Sequence, residues 1–319
     1  MTAILVTGAT GFVGRTLCPL LRSAGHRVVA AVREPDAAGG LSGVELRAVP
    51  DIGLDTDWGA TLAGIGAVVH LAARVHVMAE RATDPLAEHR HVNAGGTRCL
   101  AEAAGASGVR RFVFLSTVKV NGEATDTASF REDDAPAPMD PYAVSKWEGE
   151  QALLEVATRT GMEAAVLRPP LVYGEGVKGN FLSLLELCRR APPLPLGAAA
   201  NRRSLIYVGN LADAILRCLT ASEAAGKTYL IRDGEDVSTA ELIRRVAAAL
   251  GRPARLLPVP VPLLRLAGRL TGRSPTVARL VDSLGVDDAK LRRELGWTPP
   301  FTMAEGLERT AAWFRARDG

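Results

Sequence analysis

The stretch Ala3-Ile4-Leu5-Val6-Thr7-Gly8-Ala9-Thr10-Gly11-Phe12-Val13-Gly14 decides how the rest of the chain is read. Ile4, Leu5 and Val6 form an unbroken apolar run, the pattern of a strand buried on both faces. Gly8, Gly11 and Gly14 follow at intervals of three, and Leu17, Leu20 and Leu21 then recur at helical spacing. A buried strand that turns through glycines into a helix start makes a phosphate site. Main-chain N–H groups and the helix dipole face the anion, and glycine lets a pyrophosphate approach the backbone. The spacing is Gly-x-x-Gly-x-x-Gly rather than Gly-x-Gly-x-x-Gly, so the strand before it and the helix after it carry the assignment.

Working outward, strands and helices alternate. Apolar runs at 28–32, 44–49, 67–71, 111–115 and 163–167 predict further buried strands, with a helix over 85–106 and another starting after Pro141. That alternation predicts an α/β fold, a Rossmann-like doubly wound parallel sheet with ligands at the carboxyl ends of its strands. After Pro170 prolines cluster, and two capping boxes, Ser238-x-x-Glu241 and Thr302-x-x-Glu305, mark helix starts. The expected division is a dinucleotide-binding domain over 1–170 and a smaller, mainly helical substrate lobe over 171–319, with some segments returning to the first domain.

Composition narrows the function. The 319 residues are 47% hydrophobic, ample for a large core, and the formal net charge of +3 is too mild to argue for a nucleic-acid surface. Cys18, Cys99, Cys188 and Cys218 show neither paired nor metal-like spacing, which predicts buried free thiols in a reducing cytoplasm and no metal site. The first apolar run has no basic residues before it, as a secretory leader would, and no apolar run is long enough for a bilayer span. Segment 263–284 places leucines and valines at helical spacing among Arg265, Arg269, Arg273 and Arg279. Such a pattern marks a membrane-surface helix or a packed helix with a solvated face; the packed helix is expected, and no membrane partner.

The chemistry centres on Tyr142-Ala143-Val144-Ser145-Lys146. Residues four apart share a helix face, so Tyr142 and Lys146 point the same way. A nearby ammonium favours the phenolate, which would let Tyr142 exchange a proton while a hydride moves at the adjacent carbon. A hydroxyl at the end of the 111–115 strand, Ser116 or Thr117, is the third member.

Together, Thr7-Gly8-x-x-Gly11-x-x-Gly14, His70-Leu71-Ala72-Ala73, Asn93-x-x-Gly96-Thr97, Ser116-Thr117, Tyr142-x-x-x-Lys146, Arg168-Pro169 and Leu295-Gly296-Trp297-x-Pro299 resemble the extended short-chain dehydrogenases/reductases, within them the nucleotide-sugar epimerase/dehydratase group. The resemblance implies Thr117, Tyr142 and Lys146 as catalytic residues, with Lys146 also holding the nicotinamide ribose. It implies cofactor contacts from Gly8, Gly11, Phe12, Val13, Gly14, Asp51, Ile52, Leu71, Ala72, Ala73 and Pro169. On the substrate side it implies Ser116, Lys119, Asn121 and Asn180, with Arg203 gripping the diphosphate of a UDP-sugar, and it implies a homodimer.

Three departures refine that expectation. NAD-preferring relatives carry an acid at the end of the second strand; here Val32 is followed by Arg33, which suits a 2′-phosphate and tilts the cofactor towards NADP. Val118-Lys119-Val120-Asn121-Gly122-Glu123 stands where many relatives have small residues and Val-Tyr-Gly, and resembles a bacterial branch containing UDP-N-acetylquinovosamine 4-ketoreductases and UDP-sugar 4-epimerases. Dehydratases place an acidic pair after the hydroxyl, which Val118-Lys119 does not supply. The reading favoured by sequence is therefore a UDP-4-keto-6-deoxy-N-acetylhexosamine 4-reductase, ahead of a UDP-glucose or UDP-N-acetylglucosamine 4-epimerase, with a non-enzymatic NADP sensor as a remote third.

Overall fold

The computed structural model describes residues 2–35, 39, 41–75 and 83–317. The first half runs β1 (Ala3–Thr7), α1 (Phe12–Ser23), β2 (Arg27–Val32), β3 (Glu45–Ala48), α2 (Gly59–Leu62), β4 (Ala67–His70), α3 (Pro85–His89), α4 (Gly96–Ala106), β5 (Arg111–Leu115), α5 (Pro141–Thr160) and β6 (Glu163–Arg168). It continues through β7 (Leu171–Tyr173), α6 (Gly179–Arg190), β8 (Arg203–Tyr207), α7 (Val208–Thr220), β9 (Lys227–Leu230), β10 (Asp236–Val237) and α8 (Thr239–Ala249). The last helices are α9 (Val261–Leu270), α10 (Ser274–Val281), α11 (Ala289–Leu295) and α12 (Met303–Arg317).

Seven strands form one sheet in the order β3-β2-β1-β4-β5-β6-β9, every neighbouring pair parallel. Along β1 successive side chains go to opposite faces. Ile4 and Val6 pack with Leu17 and Leu21 of α1 and Leu211 and Ile215 of α7, while Leu5 packs with Leu100 of α4 and Leu153 and Val156 of α5. Both faces are covered, which is why β1 reads as a continuous apolar run. The order reverses between β1 and β4, the switch point where this architecture leaves a crevice for a ligand.

One feature differs from the sequence expectation. The helix predicted over 85–106 is continuous but changes pitch: Arg90–Gly95 is a π-helical stretch between α3 and α4. The chain returns to the sheet after residue 170, since α7 packs on α1 and β9 supplies the seventh strand. The second lobe holds a small sheet, β10-β8-β7, under α6, α8 and α12, with Tyr173, Phe181, Leu185, Ile243, Leu307 and Phe314 in its core. Both capping boxes start helices. The Ser238 hydroxyl accepts from the Glu241 N–H at 3.0 Å, and Thr302 and Glu305 cap each other reciprocally.

A buried knot ties the lobes together. Asp233 accepts from the Tyr173 hydroxyl at 2.7 Å and from the Tyr207 N–H and Asn210 Nδ2 at 2.8 Å each. Asn210 in turn pairs with both main-chain groups of Phe301. The four cysteines are free; Cys18, Cys188 and Cys218 are buried and Cys99 is half-buried.

Candidate active site

The glycine turn sits at the switch point. Gly8 has φ +68°, and a Cβ there would lie 2.8 Å from the Ala72 nitrogen, so the end of β1 and the chain leaving β4 touch backbone to backbone. A Cβ at Gly14 would overlap the Gly8 carbonyl and Ala9, which lets α1 approach the turn closely. Gly11 is the N-cap of α1, and no side chain caps that helix. The first-turn N–H groups of Phe12, Val13 and Gly14 are thereby left for an anion. An open, glycine-lined helix start at the carboxyl end of β1 fits the pyrophosphate of a dinucleotide.

The other expected cofactor contacts follow their strands. Leu71, Ala72 and Ala73 continue β4, and the Ala72 N–H donates to the Thr7 hydroxyl at 3.2 Å. Thr7 is opposite Ala31 in the sheet, which sets Arg33, exposed, just beyond the glycine turn's neighbouring strand. Asp51 and Ile52 follow β3; the Asp51 carboxylate accepts the Ile52 N–H at 2.9 Å and Ile52 packs against Gly96. Pro169 ends β6, its carbonyl accepting from the Val118 N–H at 2.9 Å.

Thr117 is buried past the end of β5, its hydroxyl accepting the Lys119 N–H at 3.3 Å. Tyr142 and Lys146 lie in the first two turns of α5. That helix has Asp140 as N-cap, accepting from the Ala143 N–H at 2.7 Å, Pro141 as its first residue, and Gly161 in the left-handed conformation at its end. The Tyr142 ring meets His89 of α3 edge-on, with centroids 6.1 Å apart. Lys146 is 1% exposed and its Nζ stands 3.8 Å from the centre of the Phe114 ring.

Burial acts on both members of the expected tyrosine–lysine pair. Burial, with the negative charge of Asp140 adding to it, raises the Tyr142 pKa above its ordinary value. Burial also pushes Lys146 down to about 7, against the opposing pull of Glu150. In the protein alone desolvation dominates, keeping the Tyr142 phenol protonated and leaving Lys146 divided between its charged and neutral forms near pH 7.

A chain of buried polar groups links the glycine turn to α5. Thr97 donates to the Asn93 carbonyl at 2.6 Å, so its oxygen accepts from His70 Nε2 at 3.2 Å. His70 Nδ1 is then the acceptor for the Thr7 hydroxyl at 2.6 Å. Asn93, on the π-helical stretch, accepts from the Arg74 N–H and donates to the Arg74 carbonyl and to Ser145, which donates to the Tyr142 carbonyl. His70, with its pKa lowered to about 3 by burial, is the neutral hinge of this chain. Sequence reading quoted His70, Asn93 and Thr97 only as motif letters; His89, Glu150 and Ser145 carried no signal, because their roles depend on contacts between distant elements.

On the substrate side the expected residues separate. Ser116 and Asn121 are both buried, with their side chains committed inward. Ser116 donates to Glu150, and Asn121 donates to the Arg131 carbonyl at 2.8 Å and accepts from Arg168 at 3.0 Å. They complete the shell of the Glu150–Arg168 ion pair, whose side chains are 0% and 4% exposed. Lys119 is half-buried and bridges Glu123 at 3.0 Å and Asp140 at 2.5 Å. Asn180 is exposed in the first turn of α6, after the N-cap Lys178. Arg203 opens β8, half-buried, with Nη1 3.4 Å from the Asp282 carbonyl; desolvation lowers its pKa, a cost that a bound anion would relieve.

The model of the NAD dependent epimerase/dehydratase family matches residues 4–231. A Vibrio cholerae UDP-glucose 4-epimerase is 44% identical over 98% of this chain and 95% of its own. An Escherichia coli O157:H7 N-acetyl-alpha-D-glucosaminyl-diphospho-ditrans,octacis-undecaprenol 4-epimerase is 28% identical over 96% of this chain and 93% of its own. Among solved structures, the Thermus thermophilus UDP-glucose 4-epimerase, crystallised with NAD, superposes with a TM-score of 0.78 at 25% identity, covering 98% of this chain and 99% of that one. With the glycine turn, the tyrosine–lysine helix and this match over most of its length, the chain belongs to the NAD dependent epimerase/dehydratase family and is an extended short-chain dehydrogenase/reductase enzyme.

Proposed function

We propose that this enzyme inverts C4 of a UDP-hexose using a retained NAD. The observation that carries the reading is the 44% identity, over 98% of the chain, to a relative named UDP-glucose 4-epimerase. The second relative's name also places its chemistry at C4, although the sugar there hangs on a lipid diphosphate. The tilt towards a 4-ketoreductase in the sequence reading rests on Arg33, and an exposed arginine at a strand end is the weaker of the two arguments.

The site residues have defined work in this reading. When bound, the nicotinamide takes up and returns the hydride at C4. Tyr142 accepts the C4 hydroxyl proton as the hydride leaves and returns it to the same oxygen once the turned 4-keto sugar takes the hydride back on its opposite face, and Thr117 hydrogen-bonds that oxygen. Lys146 holds the nicotinamide ribose and, when protonated, opposes the burial that keeps Tyr142 neutral. Arg203 holds the diphosphate through its planar fork while the sugar turns. Two copies pair as a homodimer, as the resemblance implies.

The test starts with the protein as purified. Denaturation should release NAD, and the untreated enzyme should convert UDP-glucose to its C4 epimer with no reductant added. An empty site that prefers NADPH, with net reduction of a UDP-4-keto sugar and no epimer, would establish the ketoreductase instead. Light scattering at twice the 33.6 kDa chain mass checks the pairing.

A further inference from the structure

Nine large apolar side chains are exposed among the described residues, and five of them fall between Leu257 and Leu280. On α9, Leu263, Leu266 and Leu270 are 55%, 50% and 80% exposed. With Ala267, also exposed, they recur at intervals of three and four and so share one helix face. The opposite side is the packed one. Leu264 joins the core of the second lobe, and Gly268 is closed over by Val277 of α10, whose Cγ2 would lie 2.8 Å from a Cβ there. The helix is amphipathic as its sequence predicts, yet its leucine stripe faces out.

The charge around that stripe is one-sided. Residues 251–281 contain Arg252, Arg255, Arg265, Arg269, Arg273 and Arg279 and no acidic residue, while the whole chain carries only +3. All six arginines are exposed, and among the described residues the one ion pair they make is Arg265 with Asp282. The basic charge is therefore concentrated here and the remainder of the chain is net acidic.

We propose that the α9–α10 face seats on an anionic lipid surface, the leucines entering the acyl boundary and the arginines meeting lipid phosphates. Leucines set among exposed arginines match a bilayer that is apolar beneath an anionic headgroup layer. A second copy is a poor occupant, because joining two such faces would oppose both sets of arginines. No helix among the described residues is long and apolar enough to cross a membrane, so the contact is peripheral. The surface is also tied to the candidate diphosphate site. The Leu280 carbonyl accepts from Asn201 and Thr239, and the Asp282 carbonyl from Arg203, so the end of α10 is hydrogen-bonded to the start of α8 and to the segment that leads into β8. Docking would hold the Arg203 side of the enzyme next to the lipid phosphates. This inference stands apart from which C4 reaction the enzyme performs.

The experiment is vesicle co-sedimentation of the full chain. Binding is expected to vesicles of phosphatidylcholine containing phosphatidylglycerol, to weaken at high ionic strength, and to be small with phosphatidylcholine alone. The variant L263S/L266S/L270S, which touches only exposed side chains, should lose about tenfold in partitioning and keep its turnover of a soluble UDP-sugar. R269Q/R273Q/R279Q should lose the dependence on phosphatidylglycerol. No sedimentation above the vesicle-free control overturns the proposal. So does equal sedimentation of wild type and both variants, or a triple-leucine variant that changes only the oligomeric mass, since the face is then covered by another copy.

Discussion

Asp140 does two jobs for Tyr142 that can be separated by one atom. Its carboxylate caps α5, and its charge raises the phenol's pKa. Asp140→Asn keeps a good N-cap and removes the charge, so the tyrosine should ionise at lower pH, read as tyrosinate absorbance against pH. Tyr142→Phe leaves the ring against His89 and removes the proton carrier; turnover should fall by about 10²- to 10⁴-fold with the fold intact by circular dichroism. Lys146 makes a prediction about stability. Its folded pKa is lowered to about 7 from 10.5, so between those values the unfolded chain holds a proton that the folded chain does not. Stability from this group therefore rises with pH across that window, by up to about 1.4 kcal/mol per pH unit. Urea unfolding of cofactor-free protein at several pH values should show the slope in the wild type and a flatter line in Lys146→Met.

Elements hold these residues in place through pairs that no local pattern announces. Glu150 and Arg168 are buried together, joining α5 to the end of β6, with Ser116 and Asn121 filling the remaining positions around them. Arg168→Leu would leave the Glu150 carboxylate buried without its cation and should cost about 3–5 kcal/mol in denaturant unfolding. Glu150→Gln/Arg168→Leu together should cost much less, which a double-mutant cycle would show. This also explains what the sequence could and could not tell. The glycine turn, the buried strands, the caps of α8 and α12, and the tyrosine–lysine spacing are local, and each was legible from neighbouring residues. The inward turn of Ser116 and Asn121 was not, because it depends on a buried pair 18 positions apart on separate elements. Nor was the π-helical stretch: one extra residue per turn leaves the apolar pattern nearly intact while aiming Asn93 at Ser145. The outward leucines of α9 misled for a related reason, since helical spacing reports a stripe and not which side the lobe packs against.

At the scale of the whole molecule, the two lobes are interlaced rather than joined end to end. The Asp233 knot draws groups from β7, the end of β8, α7 and the segment before α12, and it shares Tyr173 and Tyr207 with the second lobe's core. Asp233→Ala should therefore loosen both lobes in one transition, seen as a single cooperative melt at lower temperature rather than two. β9 has a consequence of its own. It pairs with β6 along Ala165–Arg168, yet it is made some sixty residues after β6 leaves the ribosome. Throughout that interval the nascent nucleotide-binding half ends in an open row of unpaired main-chain groups, a template for any neighbouring strand. Expression of residues 1–170 alone should give aggregates, and extension past Leu230 should be the point at which soluble chain first appears.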